Sequence, residues 1–152
     1  TLSPFNAWVV LKGLETLDLR AHRQADNALE VGRFLERRVP RILHPGLPSH
    51  PQYDLVQRQM IKAGSVFSFE VEGGRAAAHA VLDALELIDI SNNIGDSKTL
   101  MTHPASTTHS SLAPETRAAM GVSEGMLRIS VGLEDPQDLI DDLDQALHKA
   151  GI

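Results

Sequence analysis

The strongest constraint on the fold is a strand pattern followed at once by a helix pattern near the C-terminus. Over residues 126–133 apolar residues alternate with other types, which predicts a β-strand with one buried face. Asp135 then supplies an N-cap and Pro136 a first helical residue. The predicted buried positions are Leu127, Ile129, Val131 and Leu133 on the strand and Leu139, Ile140, Leu143 and Leu147 on the helix.

Helix and strand patterns alternate along the rest of the chain. Ser3 and Pro4 predict the start of a first helix, and a second helix is predicted from Asp18 to about Arg38, with Ala25, Ala28, Leu29, Gly32 and Leu35 buried. Further strands are predicted at 41–44, 65–71 and 87–90, short helices at 54–61, 75–85 and 114–121, and mostly irregular chain at 44–51 and 91–112. We therefore expect an α/β (α+β) two-layer sandwich, a small and mostly antiparallel sheet covered by helices.

Length and composition exclude several classes of protein. A chain of 152 residues is one domain by length, and 42% hydrophobic residues with 22% charged ones are ordinary for a globular protein. The net charge of −6 and the lack of a basic run argue against a nucleic-acid partner. No apolar stretch approaches the length of a membrane span, and the absence of cysteine excludes disulfides. This composition fits a cytoplasmic protein.

Arg128 is the first candidate for a binding residue. Strand alternation directs its side chain to the face opposite Leu127 and Ile129. A guanidinium there can hold a carboxylate through two parallel N–H···O bonds, which fix its orientation as well as its charge. Periodicity alone leaves open, and favours, a plainer interpretation in which Arg128 is an exposed or ion-paired surface residue.

The second candidate is the polar turn Asn92-Asn93-Ile94-Gly95-Asp96. Gly95 can adopt a positive φ, and the main-chain N–H groups of such a turn can bind an anion. A plain surface turn is the commoner alternative.

The histidines and the acidic residues of the last helix are weaker candidates. His103 and His109 have no carboxylate at ligand spacing and no H-E-x-x-H pattern, so we expect structural roles and no metal site. Asp138, Asp141 and Asp142 lie near the start of the last predicted helix, where they are expected to complement its dipole on an exposed turn.

Several segments of the chain together resemble a known family. They are Leu2-Ser3-Pro4-Phe5-Asn6-Ala7-Trp8, Gly13-Leu14-Glu15-Thr16-Leu17, Pro45-Gly46-Leu47-Pro48-Ser49-His50-Pro51, Ser91–Asp96, His103-Pro104-Ala105, Thr108-His109, Leu127–Glu134 and Asp138-Leu139-Ile140. Taken in this order, they resemble the C-terminal domain of the Cys/Met-metabolism family of pyridoxal-phosphate (PLP) enzymes, which have the type I fold. The resemblance covers nearly all of the chain.

The resemblance implies roles for particular residues. Arg128 would hold the α-carboxylate of an amino-acid substrate, Asn93 would help to hold it, and Asn92 would tune specificity. The Asn-Asn-hydrophobe-Gly-Asp turn is similar to the corresponding turn of the sulfhydrylase branch of the family. This similarity implies a PLP-dependent transferase that makes homocysteine from O-succinylhomoserine and sulfide in methionine biosynthesis. Succinyl or acetyl as the leaving group and sulfide or cysteine as the nucleophile remain open.

The family's cofactor motif Ser-Ala-Thr-Lys does not occur in the chain. We therefore expect residues 1–152 to be a single C-terminal domain, with a helical lead-in at 1–38 and a sheet-and-helix core at 39–152, cut from a longer enzyme whose N-terminal part and large PLP domain are absent. The segment alone is expected to bind no PLP, to hold no catalytic residue and to turn over nothing. The intact enzyme is expected to be a homotetramer.

Three alternatives stay open at this point. Within the family, the enzyme could be a cystathionine γ-synthase or a methionine γ-lyase. Outside catalysis, a free-standing copy could bind amino acids or assemble with a full-length homologue. An α/β domain with an incidental match is the third, and it would gain support if Arg128 did not face a pocket.

Overall fold

A computed structural model describes all of residues 1–152. Its elements, in chain order, are α1 (Pro4–Glu15), α2 (Leu17–Leu35), β1 (Arg41–Leu43), α3 (Tyr53–Gln59), β2 (Val66–Glu70), α4 (Gly74–Ala84), β3 (Asp89–Ile90), β4 (Leu100–Thr102), a 3₁₀ turn (Pro104–Ser106), α5 (Pro114–Ala119), β5 (Met126–Ser130) and α6 (Pro136–Lys149). No helix is both long enough and apolar enough to span a membrane.

The five strands form one open sheet in the order β1-β2-β5-β4-β3. The pairs β1–β2, β2–β5 and β4–β5 are antiparallel, and β3–β4 is parallel. The expected sandwich with a mostly antiparallel sheet is therefore confirmed. In the centre of the sheet, Arg128 of β5 lies opposite Ser68 of β2 on one side and opposite Thr102 of β4 on the other.

One face of the sheet carries the hydrophobic core, which helices α2, α4 and α6 cover. Alternation along β2 and β5 buries every second side chain against these helices, as the sequence predicts. The core is mainly aliphatic, with two phenylalanines. Its strand members include Phe67, Phe69, Met101, Leu127 and Ile129, and its helix members include Ala28, Val31, Leu35, Ala78, Val81, Leu139, Leu143 and Leu147.

The N-terminal helix differs from the others because none of its residues is buried. Ser3 caps it as expected, with its hydroxyl accepting the Asn6 N–H at 3.2 Å. Helix α1 continues through Gly13 to Glu15, and only Thr16 separates it from α2. The helix therefore stands beside the sheet-and-helix body with its apolar residues exposed.

The irregular chain expected over 91–112 is wrong at one important point, because it contains β4. Leu100, Met101 and Thr102 are all buried, and they join β5 to β3. Three residues flanked by threonine and histidine are too few to show a period of two, so the sequence pattern misses the strand. Thr102 thereby comes to lie beside Arg128.

Candidate functional site

Arg128 lies in the middle of β5 and is half-buried on the face away from the hydrophobic core. Its Nη2 donates to the main-chain oxygen of Asn92 at 2.7 Å and to that of Asn93 at 3.4 Å. Its Nε is buried without a partner. An unpaired buried donor costs roughly 1–3 kcal/mol, so the site as it stands favours an additional hydrogen-bond acceptor.

The turn that Arg128 contacts is the one singled out in the sequence. Asn92 and Asn93 are exposed, and Gly95 has a φ of +76°, which a residue with a Cβ adopts only with strain. The Gly95 N–H donates to the Ser130 hydroxyl at 3.0 Å. The fold therefore brings Arg128, Asn92 and Asn93 together, although no sequence pattern links them.

The two asparagine side chains are held differently. Asn92 Oδ1 accepts the hydroxyl proton of Thr102 at 2.7 Å, whereas Asn93 Oδ1 accepts the N–H of the adjacent Ile94 at 3.1 Å. In both cases the amide oxygen is occupied, which leaves the Nδ2 hydrogens available as donors. Donors beside a guanidinium suit an anionic ligand such as a carboxylate.

A second feature of the same region is an open cleft of about 520 Å³ next to the turn. Its walls come from the junction of α1 with α2 and from the turn itself, and Arg128 is not among the lining residues. Arg20 supplies a guanidinium to this cleft and donates to Gly13 O at 2.7 Å. Sequence reasoning missed Arg20, because its helix pattern marks it only as an exposed polar residue. The lining residues are Gly13, Thr16, Arg20, Asn93, Ile94, Gly95, Asp96 and Ser97.

The histidines expected to be structural occupy separate environments. His103 is buried, and its Nε2 donates to the main-chain oxygen of Glu124 at 2.9 Å. Because a carbonyl can only accept, the Nδ1 atom is the acceptor for the Ser106 hydroxyl at 2.6 Å. Burial lowers the pKa of His103, which keeps the ring neutral in this arrangement. His109 is half-buried and lies 2.8 Å from the Thr108 hydroxyl.

The expectation for Asp142 is wrong. Asp138 and Asp141 are exposed as predicted, but Asp142 is buried beside α4 and accepts three main-chain N–H groups from the segment that leads into β3. Residue 142 follows Leu139 by three positions and precedes Ala146 by four, so helical periodicity places it on the buried face of α6, which packs against α4. The expectation considered the position of Asp142 along the helix and overlooked the face on which it lies.

The four lysines are each engaged by a carboxylate. The pairs are Lys12–Glu15, Lys62–Asp26, Lys98–Asp89 and Lys149–Glu86. A carboxylate neighbour favours the charged ammonium, and it raises the pKa of Lys98. A Schiff base requires the opposite, a neutral amine in an apolar pocket. No lysine of this chain is set up for that chemistry.

Comparison with known proteins points to one family. A family model described as "Cys/Met metabolism PLP-dependent enzyme" matches residues 1–148. The O-succinylhomoserine sulfhydrylase of Mycobacterium tuberculosis is 51% identical over 152 residues, 96% of this chain and 37% of that protein. The L-methionine gamma-lyase of Treponema denticola is 45% identical over 98% of this chain and 38% of its own length. The chain thus spans little more than a third of these relatives.

A solved structure agrees with the sequence relatives. The cystathionine gamma synthase of Xanthomonas oryzae pv. oryzae, in complex with cystathionine, superimposes with a TM-score of 0.92 at 40% identity, over 99% of this chain and 40% of that one. The matched region is again a minor part of the longer protein. The fold and the order of segments described above are therefore those of trans-sulfuration enzymes that use PLP.

Proposed function

Because this chain belongs to the Cys/Met-metabolism family of PLP-dependent enzymes, we propose that it is the C-terminal domain of an enzyme that makes homocysteine from O-succinylhomoserine and sulfide. Its part in that reaction is to hold the α-carboxylate of the substrate. The likeness to two O-succinylhomoserine sulfhydrylases, at 51% and 48% identity, supports the choice of reaction. The observation that carries the role is the set of unused donors at Arg128, beside a turn whose amide donors are also free.

The carboxylate would bind to the outer side of the guanidinium. Nη1 forms no hydrogen bond within the chain, whereas Nη2 donates to Asn92 O at 2.7 Å and, over a longer distance of 3.4 Å, to Asn93 O. A carboxylate that bonds to Nη1 and replaces the longer contact at Nη2 would be held by both nitrogens, and Nδ2 of Asn93 can add a third donor. Such a grip fixes the direction in which the substrate's Cα projects. Positioning of this kind accelerates a reaction only if the geometry is held closely.

Residues of this chain fit the substrate carboxylate but do not fit the aldehyde of PLP. When bound, PLP supplies an electron sink for the negative charge that develops at Cα. The lysine that carries it must come from outside residues 1–152, since all four lysines here are paired with carboxylates. The catalytic proton transfers would likewise depend on groups beyond this chain.

We propose that the partner of this chain is the enzyme's own large PLP domain. Helix α1 supports this choice because it exposes a run of apolar side chains that a lone domain would bury. The C-terminal end of α1 lies near the carboxylate turn, because Gly13 and the following Thr16 line the same cleft as Asn93 and Gly95. The proposal includes a cytoplasmic homotetramer, as the family resemblance implies. The exposed residues are Phe5, Trp8, Val9, Val10, Leu11 and Leu14.

The reading frame upstream of Thr1 is the first test. A continuous frame that encodes Ser-Ala-Thr-Lys supports the proposal, and the intact protein should then release homocysteine from O-succinylhomoserine and sulfide. The 152-residue chain assayed alone with added PLP should release none. A start codon immediately before Thr1 would contradict the proposal and favour a stand-alone binding or assembly module.

The same intact protein separates the related reactions. Cysteine in place of sulfide tests a cystathionine γ-synthase, and methionine as the sole substrate tests a methionine γ-lyase. The lyase alternative has support from the Treponema denticola relative, and the synthase alternative from the Xanthomonas oryzae structure. A higher kcat/KM in either assay than with O-succinylhomoserine and sulfide would replace the proposed reaction.

A further inference from the structure

Two hydroxyl side chains flank Arg128 on the same face of the sheet. Thr102 is its partner across the β4–β5 pair, and Ser130 follows it by two positions on β5. Both are almost completely buried, with 1% of their surface exposed. Their hydroxyls bond to the Asn92–Asp96 turn from the sheet side, opposite the side that faces solvent. Each can therefore affect the site without contacting a ligand.

Thr102 determines the direction of the Asn92 side chain. Its hydroxyl donates to Asn92 Oδ1 at 2.7 Å, while the main-chain oxygen of Asn92 accepts from Arg128 at 2.7 Å. Asn92 is otherwise exposed, and an exposed asparagine samples several rotamers. With its oxygen held from below, its Nδ2 hydrogens stay on the outer side of the turn.

Ser130 holds the other end of the same turn. Its hydroxyl accepts the Gly95 N–H at 3.0 Å, and the next residue, Asp96, offers its main-chain oxygen to Gln24 of α2 in a hydrogen bond of 2.5 Å. The turn is thus held at Asn92 by β4 and at Gly95 by β5, and Arg128 of β5 bonds to its main chain at Asn92 and Asn93.

We propose that Thr102 and Ser130 are positioning residues for the carboxylate site, which they create by fixing the Asn92–Gly95 turn around Arg128. The proposal rests on the proposed function, since it assumes that a carboxylate binds there. Nη2 of Arg128 donates to the carbonyls of Asn92 and Asn93 in this turn. If the turn moves, the guanidinium moves with it, and the two donors that face the ligand lose their alignment.

Ser68 provides a matched control. It is the partner of Arg128 across the β2–β5 pair, the position on the other side of β5 that corresponds to Thr102. It is half-buried, and its hydroxyl forms no hydrogen bond to the turn. Ser68→Ala therefore removes a hydroxyl beside Arg128 without releasing the turn.

The kinetic test uses the intact enzyme loaded with PLP and compares two ligands, O-succinylhomoserine and the amine that lacks only its α-carboxylate. Thr102→Val and Ser130→Ala should each weaken binding of the carboxylate ligand roughly threefold to tenfold, the value of one neutral hydrogen bond. Binding of the amine should not change. Thr102→Ser, which keeps the hydroxyl, should restore wild-type behaviour, and Ser68→Ala should match wild type throughout.

Other outcomes overturn the proposal. Equal weakening of both ligands would indicate a general structural role, and wild-type binding in both variants would remove the two residues from the site. Arg128→Lys in the same assay tells the two hypotheses apart. If it weakens the carboxylate ligand while Thr102→Val and Ser130→Ala do not, only this inference fails. If it has no effect, the proposed function fails and the inference fails with it.

A second readout does not depend on activity. Amide hydrogen exchange at Gly95 reports the hydrogen bond to Ser130 directly. In the intact enzyme, Ser130→Ala should speed exchange at Gly95, and Ser68→Ala should not. Unchanged exchange in Ser130→Ala would show that Ser130 does not hold the turn and would overturn its part of the proposal.

Discussion

Asp142 on α6 accepts the main-chain N–H of Ile88 with an oxygen–nitrogen distance of 2.9 Å, and it also accepts those of Leu87 at 3.0 Å and Glu86 at 2.8 Å. One buried carboxylate thus fixes the segment that connects α4 to β3. Three hydrogen bonds to a charged acceptor explain why an aspartate can lie beside the core.

Asp142→Ala is expected to destabilise the protein by roughly 2–4 kcal/mol, because it leaves three donors of this segment without their acceptor. Urea unfolding followed by circular dichroism measures the change. Asp138→Ala, on the exposed face of the same helix, is the matched control and should cost less than about 1 kcal/mol. Equal losses in the two variants would contradict the role of Asp142 in holding the segment between α4 and β3.

Arg128→Lys in the intact enzyme should raise KM and lower kcat, so that kcat/KM falls roughly tenfold to a hundredfold, the value of a lost charge-assisted hydrogen bond. Lysine keeps the charge but loses the planar pair of donors. Steady-state kinetics with O-succinylhomoserine measure the effect. The control is Arg20→Lys, which makes the same change of side chain in the neighbouring cleft. Its kcat/KM should fall less than that of Arg128→Lys. Kinetics identical to wild type would exclude Arg128 from the site.

His44 predicts a dependence of stability on pH. Burial lowers the pKa of His44 from 6.5 to about 4, and its Nδ1 accepts the Gly46 N–H at 3.0 Å. The folded chain therefore resists the proton that the unfolded chain binds. The stabilisation is complete above pH 6.5 and is lost as the pH falls through about 4, a change of roughly 3 kcal/mol.

The variant His44→Asn tests this linkage, because Asn Oδ1 can still accept the Gly46 N–H but does not titrate. The free energy of unfolding is measured at pH 7.5 and 4.5 for both proteins. Wild type should lose more stability between these two values than the variant does. His148→Asn, at the exposed end of α6, controls for the loss of one histidine. A parallel loss in wild type and in His44→Asn would contradict the prediction.

Gly132→Ala should destabilise the chain by roughly 1–3 kcal/mol, because a Cβ there would meet the main chain of Ser97 and Lys98. Displacing those residues would also disturb the turn that precedes them. The control is Gly13→Ala, where a Cβ meets nothing within 4 Å and helix propensity favours alanine by about 1 kcal/mol. In thermal unfolding, the Tm should fall in Gly132→Ala and rise in Gly13→Ala. A change of the same sign in both variants would argue against the close approach of the main chain at Gly132.

Much of the fold could be predicted because its elements carry local signals. The helix caps at Ser3 and Asp135, the positive φ of Gly95 and the two faces of β5 are each encoded by residues that lie within three positions of one another. The direction of Arg128 follows from the same alternation. These features depend on steric and hydrogen-bonding preferences that act within one turn of chain.

The rest of the site depends on contacts between distant segments. Asn92 lies 36 residues from Arg128, and β4 becomes a strand only because β5 and β3 offer it partners. The main-chain N–H groups that Asp142 accepts belong to a segment more than fifty residues earlier in the chain. The sequence by itself determined the family, the alternating elements and the face from which Arg128 projects. Only the tertiary structure decided that Thr102 and Ser130 bond to the Asn92–Asp96 turn beside Arg128. The reason is that strand pairing joins residues distant in sequence and cannot be read from local periodicity.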